Sequence, residues 1–383
     1  MADRRRGEHF VCTRCNAEYP LSAPIWRCTC GGLLAIVYTP RFERRQITHL
    51  GPTLWRYRDA LPLAKGTDAV SLGEGYTPIL HGRVAGAPVY LKQDHLFPSG
   101  SFKDRGAAVL VSHAAALGIR RVVEDSSGNA GAAVAAYAAR AGIACDVFVP
   151  EETSPAKLEQ MRAYGATVHA VGGGRTGAAA AAMEAASTVY YASHVWNPFF
   201  LHGTKTFAFE VWEQLGWKAP DTLVLPVGNG SLLLGAALGF DELAAANQIR
   251  RVPRLVGIQT EACAPIAGAF AASELVPVEV TPGPSVAEGI AIAAPVRGAQ
   301  VLAAVQRTGG LVISVTEEEI TQALRAWWHL GYALEPTAAA ALAGLSRYVS
   351  ESASPRETIV SAITGHGLKA MGQVATLLAE GAR

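Results

Sequence analysis

The most informative stretch of the chain reads Pro98-Ser-Gly-Ser-Phe-Lys-Asp-Arg-Gly106. After a turn-forming start it presents Lys103, which we expect in the first turn of a helix continuing through the apolar residues 107–117. Ser101 is predicted to cap this helix, with Asp104 as its capping-box partner. The helix dipole opposes a cation at this end and favours the neutral amine that nucleophilic chemistry requires. Lys103 is therefore the first candidate for a reactive group.

Three glycine-containing turns each connect a predicted strand to a predicted helix: Ser126–Gly131, Pro226–Ser231 and Ile363–Lys369. Backbone N–H groups at the start of a helix bind anions, and neighbouring hydroxyls can add to them. Glycines permit a ligand to approach the backbone closely. One such turn is weak evidence, because α/β proteins use them simply as tight connections. Three of them together with Lys103 indicate a binding site.

At these positions the chain resembles the pyridoxal-phosphate enzymes of fold type II, the tryptophan synthase β superfamily, and among them the threonine synthases. The resemblance spans about residues 70–370 in the family's order. It implies pyridoxal 5′-phosphate as cofactor and an elimination or replacement reaction on a small amino acid. The motifs that carry it are Ser101-Phe-Lys-Asp-Arg-Gly106, Ser126-Ser-Gly-Asn129, Gly228-Asn-Gly230, Thr364-Gly-His-Gly-Leu-Lys369, Gly73-Glu-Gly-Tyr-Thr-Pro78, Asn197-Pro-Phe199, Gly203-Thr-Lys-Thr206 and Glu335-Pro-Thr-Ala-Ala339.

The resemblance also implies a role for each matching residue. Lys103 would hold the cofactor and, once displaced by substrate, move the α-proton. Asn129 would donate to the cofactor's ring oxygen, and Thr364 would lie near its pyridine nitrogen. A hydroxyl there does not enforce a protonated ring, which suits β- or γ-elimination better than transamination. The other predicted site residues are the phosphate-binding Gly228, Asn229, Gly230 and Ser231 and the substrate-binding Ser126, Ser127, Asn197 and Lys205.

The predicted substrate pocket departs from the threonine synthase pattern. Ala130 follows Asn129, where that family usually has a threonine whose hydroxyl assists late proton steps, and Asn129-Ala-Gly131 looks more like serine and threonine ammonia-lyases. Gly174 and Ala180 align with the family's phosphate-binding asparagine and arginine. Because a departing phosphate needs charge stabilisation, we expect an anionic leaving group only if a basic residue points into the cleft beside Asn197. The candidates are Arg175, Lys157 and Lys205.

Three functions are compatible with these residues. The first is a threonine synthase, which converts O-phosphohomoserine and water into threonine and phosphate. The second is a serine or threonine ammonia-lyase, or a β-replacing synthase, on the same scaffold. The third is a catalytically silent zinc-ribbon binding protein. Retention of Lys103, Asn129 and the phosphate-binding turn argues against the third, because a silent scaffold has no physical need for them.

The order of strands and helices predicts an α/β protein with mostly parallel sheets flanked by helices. With the resemblance it predicts two lobes and a small cysteine ribbon: residues 1–40 as the ribbon, 41–106 with 196–383 as the large cofactor-binding lobe, and 107–195 as the smaller lobe with the asparagine turn. The predicted strands are 87–91, 121–124, 145–149, 167–171, 222–225, 255–259, 311–314 and 358–363.

Composition is that of an ordinary soluble enzyme. The 383 residues are 50% hydrophobic, which is enough for two lobes with substantial cores. The formal net charge of +1 favours neither nucleic acid nor a membrane surface as a partner. Without an apolar signal segment or a membrane-spanning run, we expect a cytoplasmic protein. The resemblance implies a homodimer as its assembly.

Four cysteines near the start form two close pairs: Cys12 with Cys15, and Cys28 with Cys30. Each pair can place two thiolates on one tetrahedral ion, so we predict a structural zinc site. A reduced, metal-free ribbon is the alternative. Disulfides are not expected in the cytosol.

Overall fold

The computed structural model describes residues 7–153 and 155–379, and for residues 155–157 only the backbone. They form two compact units. The first contains the described residues up to Gly75 together with Lys103–Thr204, and the second contains Tyr76–Phe102 together with the described residues from Lys205 onward. These units differ from the predicted lobes chiefly in residues 41–75, which group with the cysteine ribbon and the smaller sheet. No helix in the described part of the chain is long and apolar enough to cross a membrane.

The first unit begins with an antiparallel ribbon. Its strands are β1 (His9–Cys12), β2 (Glu18–Pro20) and β3 (Leu34–Val37), in the order β2-β1-β3. The inward-facing Phe10 of β1 is fully buried and meets the ring of Phe199 edge-on, at 5.9 Å between centroids. The ribbon therefore shares its apolar core with the rest of the first unit, which explains why it does not separate as a segment of its own.

The remainder of the first unit is a four-stranded parallel sheet with helices around it. Its elements are α1 (Arg44–His49), α2 (Lys103–Ala116), β6 (Arg121–Glu124), α3 (Asn129–Ala141), β7 (Ala144–Pro150), α4 (Pro155–Ala163), β8 (Thr167–Val171), α5 (Gly174–Ala185), β9 (Tyr190–Tyr191) and α6 (Pro198–Thr204), with strand order β8-β7-β6-β9. Helices α2 and α6 pack at close range: a Cβ at Gly106 would lie 2.4 Å from the Phe200 ring, and one at Gly203 would lie 2.1 Å from the Arg105 carbonyl oxygen. This contact fixes the start of α2, where Lys103 lies.

The second unit is built on a six-stranded sheet. Its elements are β4 (Ile79–Val84), β5 (Ala87–Lys92), α7 (Thr206–Gln214), β10 (Thr222–Pro226), α8 (Ser231–Ala245), β11 (Arg254–Thr260), α9 (Pro265–Ala271), α10 (Gly298–Arg307), β12 (Leu311–Val315), α11 (Glu317–His329), α12 (Pro336–Glu351), β13 (Ile359–Ala362) and α13 (Met371–Ala379). The strand order is β12-β11-β10-β13-β5-β4, and every pairing is parallel except that of β4 with β5. Because β10 and β13 are adjacent and parallel, the turns that follow them lie at the same edge of this sheet.

The fold prediction is confirmed, since all eight predicted strands are present with ends within one residue of the prediction. The prediction that Ser101 caps α2 is wrong. Ser101 is fully buried, and within the described part of the chain its Oγ has no hydrogen-bond partner. Its backbone instead forms an isolated antiparallel bridge to Gly365.

Candidate active site

Lys103 directly follows a turn that is held by the backbone of the second unit. The Phe102 N–H donates to the Thr364 carbonyl oxygen at 3.0 Å, and the His366 N–H donates to the Gly100 carbonyl oxygen at 2.9 Å. Gly100 has φ +82°, and a Cβ there would lie 2.8 Å from Lys369 Cδ, so the turn requires glycine. The chain therefore enters α2 in one direction, and Lys103 is its first residue.

The Lys103 side chain is half-buried, with Nζ 5.6 Å from the centre of the Phe200 ring. The ring face attracts a cation at this distance. The Lys103 charge also reaches Glu124 at the end of β6, where it opposes the rise in the pKa of that carboxyl caused by burial. The lysine thus lies beside the carboxyl end of β6 within the first unit.

The turn after β6 leaves the N-terminus of α3 open. A Cβ at Gly131 would lie 2.0 Å from the Ser126 carbonyl oxygen, so this tight path requires glycine. Gly128 precedes the helix and supplies no side-chain cap, although its N–H lies 3.3 Å from Ser126 Oγ. Ser126, Ser127 and Asn129 are half-buried. The arrangement offers helix N–H groups and two hydroxyls to a carboxylate.

In the second unit, the turn Gly228–Ser231 has the form of a phosphate cradle. A Cβ at Gly228 would lie 3.0 Å from the Gly289 carbonyl oxygen, and one at Gly230, where φ is +81°, would lie 2.3 Å from Val301. No side-chain hydrogen bond caps the 15-residue helix α8 that begins at Ser231. Backbone N–H groups at this helix start can therefore receive an anion, and Ser231 is buried beside them.

Thr364 follows β13 in the same unit and is 1% exposed. Nothing among the described residues accepts from or donates to its Oγ1. A buried hydroxyl without a partner costs free energy, so a partner supplied by a ligand would stabilise the structure. Thr364 is therefore suited to bind a polar atom of a cofactor.

Asn197 and Lys205 have structural partners. Asn197 is fully buried; its amide donates to the Tyr190 hydroxyl at 2.7 Å and accepts from the Phe199 N–H at 3.1 Å, which caps α6. In the second unit Lys205 is fully buried with Nζ 3.0 Å from Glu242 Oε1, and burial lowers its pKa to about 8 despite this partner. Their role in substrate binding stays a prediction, and these contacts favour a structural role for both.

The three basic residues predicted to stabilise an anionic leaving group differ in their surroundings. The Lys157 side chain lies outside the described residues, and Lys205 is paired with Glu242. Arg175, in the first turn of α5, is exposed, but its charge reaches His194 and helps to lower the pKa of that imidazole. The Lys103 charge acts on the same imidazole. Of the candidates whose side chains are described, Arg175 is therefore the one that shares a neighbour with Lys103.

Sequence analysis missed a buried acid–imidazole cluster next to Lys103. His194 Nδ1 lies 2.5 Å from Glu124 Oε1, and the His194 backbone N–H donates to Glu124 Oε2 at 3.3 Å. A carboxylate oxygen of Glu124, a carboxylate oxygen of Asp125 and a ring nitrogen of His194 all lie within 4.8 Å of one another. The signal available in the sequence was the Glu124-Asp125 pair at a strand end, but nothing in it pointed to a histidine 70 residues away.

Comparison with known proteins identifies the family. The family model described as "Pyridoxal-phosphate dependent enzyme" matches residues 70–365. A threonine synthase of Methanocaldococcus jannaschii is 36% identical over 374 residues, covering 94% of this chain and 92% of that protein. A threonine synthase of Methanosarcina acetivorans is 35% identical, with 94% and 92% covered. The chain belongs to the pyridoxal-phosphate dependent enzymes.

Solved structures of this enzyme class share the fold. Maize serine racemase matches with a TM-score of 0.66 at 22% identity, over 80% of this chain and 93% of that one. A fungal L-serine ammonia-lyase from Rhizomucor miehei also has a TM-score of 0.66, at 24% identity, over 78% and 97%. At this identity the likeness confirms fold type II. The predicted enzyme class, a pyridoxal-phosphate dependent lyase related to threonine synthases, is confirmed by the closer relatives.

The residues present fit pyridoxal phosphate. The turn at Gly228–Ser231 leaves no room for a side chain at Gly228 or Gly230, where a phosphate needs backbone N–H groups. The buried hydroxyl of Thr364 lacks a hydrogen-bond partner in the described structure, which suits the ring nitrogen of the cofactor. Lys103, half-buried beside an aromatic ring, suits covalent attachment of an aldehyde.

The four N-terminal cysteines of this pyridoxal-phosphate enzyme converge. Their Sγ atoms lie within 4.8 Å of one another, with Cys12 and Cys30 3.5 Å apart and Cys15 and Cys28 3.5 Å apart. The Tyr19 hydroxyl, 3.0 Å from Cys28 Sγ, lowers the pKa of this thiol to about 6. A Cβ at Gly32 would lie 2.7 Å from Cys12 Sγ, so glycine permits the thiols to approach. Four convergent thiols are the donor set of a structural zinc site.

Proposed function

We propose that the protein is a threonine synthase, which converts O-phosphohomoserine and water into threonine and phosphate. The observation that carries the proposal is 36% identity to a threonine synthase over 94% of the chain, a span that includes most of the chain outside the catalytic motifs. Arg175 supports it, because its charge acts on the same imidazole as the charge of Lys103 and can stabilise a departing phosphate.

Each site residue then has a task in the reaction. Bound pyridoxal phosphate supplies an electron-withdrawing ring that makes the hydrogen on the substrate's α-carbon acidic. The Lys103 amine holds the cofactor and later takes and returns that hydrogen as a proton at Nζ. Asn129 would donate to the ring oxygen, and Ser126 and Ser127 would bind the substrate carboxylate. Thr364 would lie near the ring nitrogen without enforcing its protonation, and the cofactor phosphate would be held by Gly228, Asn229, Gly230 and Ser231.

One assay with three substrates tests the reaction. Purified protein with pyridoxal phosphate is incubated in parallel with O-phosphohomoserine, serine and threonine, and both inorganic phosphate and ammonia are measured. We expect threonine and phosphate in equal amounts from O-phosphohomoserine. Ammonia and a keto acid from serine or threonine, with no phosphate from O-phosphohomoserine, would reject the proposal.

A serine or threonine ammonia-lyase is the second candidate, and Ala130 is the observation that favours it. Ala130 is buried in the first turn of α3, directly after Asn129, and offers no hydroxyl for late proton steps. A hydroxyl leaving group requires no cationic pocket. This fits the pairing of Lys205 with Glu242, which makes Lys205 unsuited to bind a phosphate leaving group.

We also propose one zinc ion per chain, bound by Cys12, Cys15, Cys28 and Cys30. The ribbon strands are only three or four residues long, so metal binding would contribute much of the ribbon's folding free energy. Metal analysis of protein made under reducing, zinc-replete conditions checks this, with Cys28→Ser expected to lose the metal. Cys145→Ser, at a buried thiol in β7, is the matched control that should keep it. Wild-type protein without zinc would refute the assignment.

We also propose a homodimer, which the resemblance implies, and a cytoplasmic location, which the sequence predicts. Light scattering of the purified protein at micromolar concentration measures the assembly. A monomer that is fully active would refute the dimer.

A further inference from the structure

We propose that His194, oriented by Glu124, is a second catalytic residue: its Nε2–H protonates the leaving oxygen of the substrate, and Glu124 replaces that proton through Nδ1. The inference deepens the proposed function and rests on it.

Glu124 and His194 form a carboxyl–imidazole pair in which only Nε2 of the imidazole can contact a ligand. Glu124 is fully buried at the end of β6 and contacts His194 twice, through Nδ1 at 2.5 Å and through the backbone N–H at 3.3 Å. The His194 side chain is 12% exposed. The described residues give its Nε2 no hydrogen-bond partner, so this nitrogen is available to a ligand. A carboxyl group on Nδ1 fixes the tautomer and orientation of an imidazole that works through Nε2.

His194 and Lys103 lie around the same aromatic ring. The centre of the Phe200 ring is 5.6 Å from Lys103 Nζ and 6.0 Å from the centre of the His194 ring. Lys103 reacts at the α-carbon of the substrate, and the leaving group lies one or two carbons further along the side chain. His194 lies beside the same ring, and the Lys103 charge acts on its imidazole, so it is placed as a second proton-transfer group for the leaving group.

The charges around the pair favour one proton distribution. Burial lowers the pKa of His194 to about 3, and the charges of Lys103 and Arg175 add to this against that of Asp125. Burial raises the pKa of Glu124 to about 8. At neutral pH the carboxyl therefore keeps its proton and donates it to Nδ1, and the neutral imidazole carries its own hydrogen on Nε2. Phe200 beside His194 and the buried Tyr191 beside Asp125 and Glu124 add no charge at this pH.

The proton balance closes over one turnover. Lys103 Nζ takes a proton from the carbon next to the one that carries the leaving group, and the electrons of that carbon–hydrogen bond form a carbon–carbon double bond. The bond between the substrate carbon and the leaving oxygen breaks, its electron pair goes to that oxygen, and the oxygen takes the proton from Nε2. Lys103 returns its proton to the carbon that carried the leaving group before the product leaves. The Glu124 proton moves to Nδ1 as Nε2 loses its own. When water adds to the substrate in the second half of the reaction, Nε2 takes a proton from that water, and the Nδ1 proton returns to Glu124.

Three variants separate this role from a structural one. His194→Gln removes the imidazole, and Glu124→Gln keeps a hydrogen bond to Nδ1 but has no acidic proton to give. We expect each to lower kcat for phosphate release about 100-fold, with KM little changed. His169→Gln is the control. His169, on the strand β8, makes a similar contact, with its Nε2 2.8 Å from Asp146 Oδ1. It should leave kcat unchanged.

The α-hydrogen step gives a readout that does not depend on the leaving group. Exchange of this hydrogen with deuterium is followed by NMR on a phosphonate analogue of the substrate, whose phosphorus cannot leave. Exchange depends on Lys103 and should survive in both variants. If exchange falls as much as phosphate release, the pair only holds the turn at Ser126–Asn129, and the proposal is overturned.

Histidine NMR tests the pair in protein free of cofactor. The resonance lost in His194→Gln should belong to a neutral imidazole with its hydrogen on Nε2 at pH 7, and an Nδ1–H tautomer or a charged ring would overturn the relay. If wild-type protein releases no phosphate at all, the proposed function fails. The same variants measured by ammonia release from serine or threonine then decide whether His194 still serves the leaving group.

Discussion

Lys103 in the first unit and Lys205 in the second have similar immediate surroundings but different electrostatic partners. Each ammonium nitrogen lies 5.6 Å from the centre of a phenylalanine ring, that of Phe200 or Phe209. Lys205 is fully buried with a carboxylate of its own, since both Glu242 oxygens lie within 3.0 Å. Near Lys103, by contrast, the Glu124 carboxyl is bound to His194.

The difference shows how a fold distinguishes a structural lysine from a reactive one. A buried ammonium with its own carboxylate is held in place by that ion pair. A lysine whose neighbouring carboxyl is committed to another group can exchange a proton and form a covalent bond at lower cost. Both lysines occur in motifs that resemble those of the threonine synthases, so this resemblance alone does not separate the two cases.

The strongest test of this contrast removes Lys103. Lys103→Ala should lower turnover by roughly 10³-fold or more, because Lys103 is the group proposed both to take the α-proton and to hold the cofactor. Borohydride reduction of the wild-type enzyme followed by peptide mapping should find the pyridoxyl group on Lys103. A pyridoxyl group on any other lysine would contradict the assignment.

The second test removes Lys205. Lys205→Met leaves the Glu242 carboxylate buried without its ammonium, so the free energy of unfolding should fall by roughly 3–5 kcal/mol. Urea unfolding measures this, and the double variant Lys205→Met/Glu242→Leu should regain most of the loss. If Lys205→Met has the free energy of unfolding of the wild type and instead loses turnover, Lys205 binds substrate as the sequence predicted. The contrast with Lys103 then fails.

The third test uses pH on the same pair. Burial lowers the pKa of Lys205 from 10.5 to about 8, so between these values the unfolded chain holds a proton that the folded chain has released. The free energy of unfolding should therefore rise with pH across this window, by up to about 1.4 kcal/mol per unit from this group. The difference in stability between wild type and Lys205→Met should widen as the pH rises from 8 to 10.5, because only the wild type gains stability from this group. A constant difference would show that the folded-state pKa of Lys205 is not lowered.

Local sequence patterns predicted the sheets and the turns, and the contacts that decide function escaped them. Buried apolar runs predicted strands such as β6 and β10. The turn after β10 could be predicted because it needs glycine, as at Gly230, where φ is positive and there is no room for a Cβ. The partner of Lys205 is 37 residues away and that of Glu124 is 70 residues away. No period or motif encodes such pairings, because they depend on which elements the fold brings together.

The smallest expected effect concerns the hydroxyl missing beside Asn129. Ala130 is 2% exposed in the first turn of α3, so a threonine there must fit two further heavy atoms into packed surroundings, at a cost of about 1–3 kcal/mol. If the protein is a threonine synthase that works without this hydroxyl, Ala130→Thr should raise phosphate release from O-phosphohomoserine several-fold, as a hydrogen bond worth about 1 kcal/mol allows. Ala130→Val is the matched control, because valine has the same shape without the hydroxyl and should give no gain. A gain in both variants would reflect packing alone, and a folded Ala130→Thr protein without any gain would favour the ammonia-lyase over the synthase.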